Sequence, residues 1–325
     1  MISWTSFGNP FNKYHPIRPL ILRYYGNIMN NLIRKELVER CNEYNQEKIA
    51  LSQRKKSKSV IALTLETYLA ENQREGASKE DQTFIAYATY QIRLFLSAGH
   101  DTTTSVLVYV YHMLHKHPAI RTLMMSEHDS VFGPDLSTVA AQLRSNPTLI
   151  NQTSYTLAVI KETMRLYPPA GGYRLGGPGI TLVDEKGLEF PTQECLISLV
   201  HHAIHVSPRV WLRAEEFLPE RWLVEAGHEL SPPNGAFRSF EQGPRNCIGQ
   251  DLSLIELRIA LVMTVRMMRI RPAYEKWDAL KKGSLLGWIG FGKGAKNTIN
   301  GDRAYQIEKG GAHPANGYPC IVEIR

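Results

Sequence analysis

A stretch between Ser78 and Pro118 sets the strongest limit on how this chain folds. Phe84, Ile85, Tyr90, Leu94, Phe95, Val106, Val110 and Leu114 recur there near helical spacing, and Ser78-x-x-Asp81 resembles a capping box at its head. A helix of ~38 residues is roughly 57 Å long at the α-helical rise, enough to cross a large domain. Apolar residues cover most of its circumference, so the pattern predicts a helix buried in the middle of the fold.

The remaining segments are consistent with a large, mainly α fold with small β elements. Residues 17–50 read as a helix through Ile28, Leu32, Leu37 and Cys41, and residues 61–76 as a second, with a polar, basic stretch at 52–60 between them. A further helix is expected over 151–167, closed by Pro168-Pro169, and another over 252–269. Residues 180–184 and 195–200 read as strands of one small sheet, and 320–324 as a short terminal strand. The stretch 226–249 is long, irregular and rich in Gly and Pro, and loops of that length are usually functional or disordered. With 325 residues, 43% hydrophobic and 21% charged, the chain has the apolar mass for one large domain over 1–325.

Charge and cysteine usage exclude several classes. The net charge of +7 is spread along the chain, and its densest cluster, Arg54-Lys55-Lys56-Ser57-Lys58, is short and lacks interleaved aromatics. That is no nucleic-acid footprint; a basic docking surface for an acidic protein is the sharper reading. Cys41, Cys195, Cys247 and Cys320 form neither a CxxC pair nor a disulfide framework, which fits a reducing compartment. No basic-then-apolar leader opens the sequence, and no uncharged apolar run reaches the ~18 residues of a membrane span.

The chemistry concentrates in Phe240-Glu241-Gln242-Gly243-Pro244-Arg245-Asn246-Cys247-Ile248-Gly249. This is a glycine-flanked loop that presents one cysteine just before a helix. Gly243 and Gly249 permit φ > 0 and leave the backbone bare where a flat ligand approaches. A sulfur before a helix N-terminus faces unpaired N–H groups, a setting that suits a metal-binding or a nucleophilic thiolate. Arg245 can meet an acidic group of a ligand. A lone cysteine is usually buried and inert, but the pattern F-x-x-G-x-R-x-C-x-G fixes five positions and has a chance of only about 10⁻⁴ over a chain this long.

The segment resembles the haem-binding loop of the cytochrome P450 family of haem-thiolate monooxygenases. The resemblance implies Cys247 as the axial ligand of haem iron, Arg245 on a haem propionate and Phe240 packed beside the sulfur. The cofactor would be haem b, and thiolate ligation would favour O–O cleavage.

Three further segments stand in the family's order. Glu162 and Arg165 share a helical face 85 residues before Cys247, resembling the family's E-x-x-R helix. Spacing alone does not separate them from an ordinary surface pair, since Glu71-x-x-Arg74 has it too. Arg221, in Pro219-Glu220-Arg221-Trp222, matches the third member of the family's structural network, with Trp222 where Phe is commoner. Arg174 matches a second propionate-binding position. Within the long helix, Ala98-Gly99-His100-Asp101-Thr102 resembles the family's [A/G]-G-x-[D/E]-T motif. Ala98 and Gly99 would leave room over the iron, and Asp101 and Thr102 would form the acid–alcohol pair that delivers protons, with Thr103 a neighbour to test beside Thr102.

The resemblance implies insertion of one atom of O₂ into a small hydrophobic organic substrate, with electrons from NADPH through a flavoprotein reductase and no nucleic-acid partner. It covers the family's C-terminal portion. The membrane anchor and lid segments of fungal members have no counterpart here, so a truncated form is expected. For a full-length form it implies the cytosolic face of the endoplasmic reticulum membrane. The ending His313-Pro314-Ala315-Asn316-Gly317-Tyr318-Pro319-Cys320 is similar to fungal members of secondary metabolism. Two rivals stay open: a haem-binding protein without turnover, and a haem-free thiol enzyme using Cys247. Gly287-Trp288-Ile289-Gly290-Phe291-Gly292-Lys293-Gly294 imitates a phosphate loop but has Gly294 where Ser or Thr would hold Mg²⁺. His201-His202 and His205 read as a packed element.

Overall fold

The computed structural model describes residues 17–47, 82–282, 298–309 and 311–324. The expected capping box at Ser78, the helix over 61–76, the basic cluster at 54–58 and the glycine run 287–294 lie outside these residues. The chain divides into two compact units between His100 and Asp101, inside the long helix.

In the first unit, helix α1 spans Arg18–Glu47 and the long helix α2 begins at Gln82, running to Lys116. Ile33 and Leu37 of α1 bury against Ile85, Ala88 and Ile92 of α2. Ile28 and Leu32, expected on the packed face of α1, are exposed. So are Leu94, Phe95 and Leu96. The expectation of a helix buried along its length therefore holds only for the part beyond Asp101. Before it, among the described residues, a single stripe finds apolar partners and the rest of the circumference does not.

In the second unit, Val106, Val110, Met113 and Leu114 of α2 enter the main core. Helix α3 (Pro118–Phe132) starts on a proline, whose fixed φ suits a first helical turn, and α4 (Val139–Ser145) follows. Helix α5 covers Ser154–Leu166 after a 3₁₀ turn at Pro147–Gln152, close to the expected 151–167. Val159, Ile160 and Met164 of α5 pack on Leu254, Leu257 and Leu261 of α7 (Gln250–Thr264).

Helix α7 ends five residues before the expected boundary, because Met268–Pro272 forms strand β5, antiparallel to β8 (Cys320–Ile324). Met267, Met268 and Ile270 satisfy a helical and an alternating pattern alike, and pairing with the terminal strand decides between them. The two expected strands at 180–184 and 195–200 also form, but in different sheets. Strand β2 (Thr181–Val183) pairs with β3 (Glu189–Pro191), and β4 (Leu196–Leu199) pairs with β1 (Gly172–Leu175). A two-residue turn at Glu185-Lys186, capped by Asp184 Oδ1 on the amides of Lys186 and Leu188, folds β2 onto its nearer neighbour.

Between β4 and α7 lie the short helix α6 (His201–His205) and the irregular stretch expected from its glycines and prolines. Helix α8 spans Tyr274–Lys282. A last hairpin joins β6 (Gln306–Lys309) to β7 (Gly311–Pro314). His112 of α2, buried, reaches the C-terminal region through Nε2 to Asp302 at 2.7 Å. Among the described residues no helix is long and apolar enough to cross a membrane.

Candidate functional site

The C-terminal half of α5 is buried on all sides and holds Glu162 at the centre of a charged cluster. Its Oε1 accepts from Arg165 Nη2 at 2.8 Å, the Leu218 amide at 3.0 Å and Arg221 Nε at 3.2 Å; its Oε2 accepts from Arg165 Nε at 3.0 Å and Trp222 Nε1 at 3.0 Å. Five donors on one fully buried carboxylate satisfy its hydrogen-bonding capacity. Two guanidiniums against one carboxylate leave a surplus positive charge, which is met by carbonyls. Arg165 donates to the carbonyls of His205, Ala214 and Glu216 at 2.6, 2.6 and 2.8 Å, and Arg221 to that of Arg213 at 2.9 Å. Trp211 lies against both guanidiniums, 5.2 and 5.8 Å from its ring centre. Glu162, Arg165 and Arg221 are therefore brought together as the sequence pattern suggested. The Trp222 contact was not anticipated, although its place beside Arg221 was visible.

The opposite end of α5 is secured by Glu127 of α3, whose carboxylate accepts from the amides of Tyr155 and Thr156 at 2.6 and 2.9 Å. These are orphan N–H groups of a first helical turn, so the carboxylate acts as a cap.

The network continues into the cysteine loop through His205. Its Nε2 accepts the Arg238 amide at 2.8 Å, so Nδ1 carries the proton and donates to the Arg165 carbonyl at 2.9 Å. Burial pushes the His205 imidazole down to about 4, which keeps it neutral. Ser239 Oγ donates to the Met164 carbonyl at 2.9 Å, and Phe240 packs on the main core. The loop then leaves the core. Glu241 and Gly243 take positive φ of 59° and 77°, and the Cys247 amide returns to the Phe240 carbonyl at 2.8 Å, closing the bend. Cys247 is a free, exposed thiol three residues ahead of α7. A Cβ on Gly249 would sit 3.9 Å from its sulfur. Arg245 is exposed and, among the described residues, has no ion-pair partner.

Glu241 is a second hub that sequence reasoning passed over. Its carboxylate is met by His201 Nε2, by Arg174 Nη2 at 3.3 Å and by Arg238 Nη2 at 3.5 Å. Arg174 is thus engaged by a protein carboxylate on the cysteine loop. The histidine-rich segment forms the packed element expected, with His201 and His205 buried.

Asp101 is placed against the β6–β7 hairpin rather than the cysteine loop. Its Oδ2 accepts the Gly311 amide at 3.1 Å and its Oδ1 lies 3.1 Å from His313 Nε2. Thr102 is half-buried, and the Thr103 hydroxyl is buried with no hydrogen-bond partner among the described residues. Ala98 and Gly99 are exposed, and a Cβ on Gly99 would meet nothing within 4 Å. A groove of about 1090 Å³ opens in the second unit, bordered by Tyr167, Tyr173, His201, Phe217 and by Gly311 of the same hairpin.

An exposed sulfur donor in the same loop as an exposed guanidinium that has no ion-pair partner among the described residues fits a metal that brings its other ligands and an acidic edge with it. Among the described residues, no group of three or more His, Cys, Asp or Glu side chains could hold a bare ion. The donor set therefore suits a metalloporphyrin with carboxylate side chains.

Comparison with known proteins agrees. The chain matches the cytochrome P450 family model over residues 2–290. It is 40% identical to the cytochrome P450 monooxygenase polC of Polytolypa hystricis over 99% of its own length and 56% of that protein. It is 32% identical to the monooxygenase acrF of Aspergillus aculeatus over 95% of its length and 62% of the relative, and 32% identical to mouse cytochrome P450 3A13 over 58% and 35%. The chain thus spans roughly three fifths of the length of the two fungal relatives. With the family model matched over most of its residues, this chain belongs to the cytochrome P450 family.

Proposed function

We propose that the chain is the haem-binding part of a fungal haem-thiolate monooxygenase that places one atom of O₂ in a small hydrophobic organic substrate of secondary metabolism. The observation that carries this reading is the closed bend at Phe240–Cys247, which presents one exposed sulfur ahead of α7. Cys247 would hold the haem iron through its sulfur, with haem b the expected form, and Arg245 would pair with a haem carboxylate. Phe240 anchors the bend in the core, and Gly243 and Gly249 keep it clear of side chains. Bound through a thiolate, haem supplies the reductive activation of dioxygen.

The remaining roles belong to this chain's own side chains. Glu162, Arg165 and Arg221 hold α5 against the segment that carries the bend, through His205 and Ser239. Asp101 and Thr102 would be the acid–alcohol pair, with the Asp101 carboxyl relaying a proton to the Thr102 hydroxyl. Ala98 and Gly99 are the small residues of the matching family motif. Electrons come from NADPH through a flavoprotein reductase that docks by charge on the basic face around Cys247. A full-length form works at the cytosolic face of the endoplasmic reticulum.

The test is spectroscopic. Chain reconstituted with hemin, reduced and exposed to carbon monoxide should give the red-shifted Soret band of thiolate ligation, and Cys247→Ala should abolish it. Binding through imidazole, or no pigment at all, would overturn the reading. The exposure of Cys247 also suits a haem-free thiol nucleophile. Rapid iodoacetamide alkylation of Cys247, undiminished after hemin is added, would favour that alternative.

A further inference from the structure

We propose that His313 is a positioning residue for Asp101, acting with the Gly311 amide as a latch on the acid of the acid–alcohol pair. The inference rests on the reading of Asp101 given above. Each oxygen of the Asp101 carboxylate is met by a different residue of one strand: Oδ2 accepts the Gly311 amide and Oδ1 lies against His313 Nε2, both at 3.1 Å. A single contact would leave the carboxylate free to turn about its second torsion. Two contacts from a fixed strand select one orientation.

The strand is itself fixed. Ser105, four residues after Asp101 and so on the same face of α2, donates its hydroxyl to the Ala312 carbonyl. The Ala312 amide donates to the Pro169 carbonyl at 2.8 Å. Gln306 and Tyr173 tie the partner strand through Pro168 and Glu308 at 3.1 and 2.8 Å. The approach also depends on residue 311 lacking a side chain. A Cβ there would stand 2.7 Å from Asp101 Oδ2, 3.3 Å from the Pro169 carbonyl and 3.4 Å from His313 Nε2. Gly311→Ala would therefore displace the flexible carboxylate first, without removing any ionisable group.

The acid that feeds Thr102 is thus held from outside its own helix, by a hairpin more than 200 residues away in sequence. Rotation of the carboxylate toward Thr102 requires the latch to open, and its orientation at rest is set by His313.

Hydrogen exchange of residue 311 in the chain without haem tests the latch directly. Asp101→Ala and His313→Leu should each speed exchange of the Gly311 amide, Asp101→Ala by about fivefold, the factor set by one net hydrogen bond. His313→Gln, which keeps a donor near Nε2, should restore protection. In hemin-loaded chain supplied with reductase, His313→Leu and Gly311→Ala should at least halve the product formed per O₂ consumed with the thiolate spectrum unchanged, and His313→Gln should recover it. Unaltered exchange in both Asp101→Ala and His313→Leu overturns the latch. Altered exchange with unaltered product yield overturns its part in proton delivery. The exchange measurement needs no haem, so a chain lacking the thiolate spectrum would sink the functional reading while exchange still decides the latch.

Discussion

Glu162 and Asp101 are both helix carboxylates paired with cationic or imidazole side chains, yet they are built in opposite ways. Glu162 is fully buried and accepts five hydrogen bonds from residues on two segments. Asp101 is 46% exposed at its side chain and accepts two contacts from one strand. The first arrangement leaves no room for a proton or a rotation without breaking the cluster. The second can release its carboxylate at small cost. Burial and donor number thus separate a carboxylate that holds the fold from one that can take part in chemistry.

The largest effect should follow from Glu162→Gln. The shape is kept, but two buried guanidiniums lose the carboxylate they both pair with, which costs about 3–5 kcal/mol in urea unfolding. A loss under about 1 kcal/mol would show that the carbonyls alone neutralise Arg165 and Arg221, and would remove the contrast.

Acid should act next, and on the same region. His205 and His128 are both buried and both held down to about 4, chiefly by burial. In the unfolded chain each takes up a proton near the ordinary histidine value of about 6.5. The unfolded state therefore binds more protons between about pH 6.5 and 4, and stability falls as pH is lowered through that window, by up to roughly 3 kcal/mol per histidine. His205→Gln should flatten the unfolding profile across that window; an unchanged profile would mean His205 is not held neutral.

The smallest effect belongs to Asp101→Asn. A half-exposed ion pair is worth about 0.2–1 kcal/mol, so the urea midpoint should barely move. A loss comparable to that of Glu162→Gln would make Asp101 a structural carboxylate after all.

The features legible in the sequence are those written locally. The glycines around Cys247, the i,i+3 spacing of Glu162 and Arg165, and the proline that stops α5 each depend on residues a few positions apart. The bend, the pair and the helix end accordingly stand where the pattern put them. What escaped was tertiary. Trp222 reaches Glu162 across 60 residues, His205 reaches Arg238 across 33, and His313 meets Asp101 from the far end of the chain. No periodicity encodes such pairings. The strand pairing failed for a related reason: two apolar runs do not reveal their partners, and turn chemistry at Asp184 decides. The end of α7 was misplaced because Met267–Ile270 fits both periods.

The bond between Arg174 and Glu241 has a consequence for ligand recognition. A carboxylate arriving from a bound molecule would meet a guanidinium that already has a resident anion, so capture becomes an exchange of one acidic partner for another. Glu241, displaced, keeps His201 and Arg238 as companions. The site can thus swap an internal anion for an external one without leaving any charge stranded.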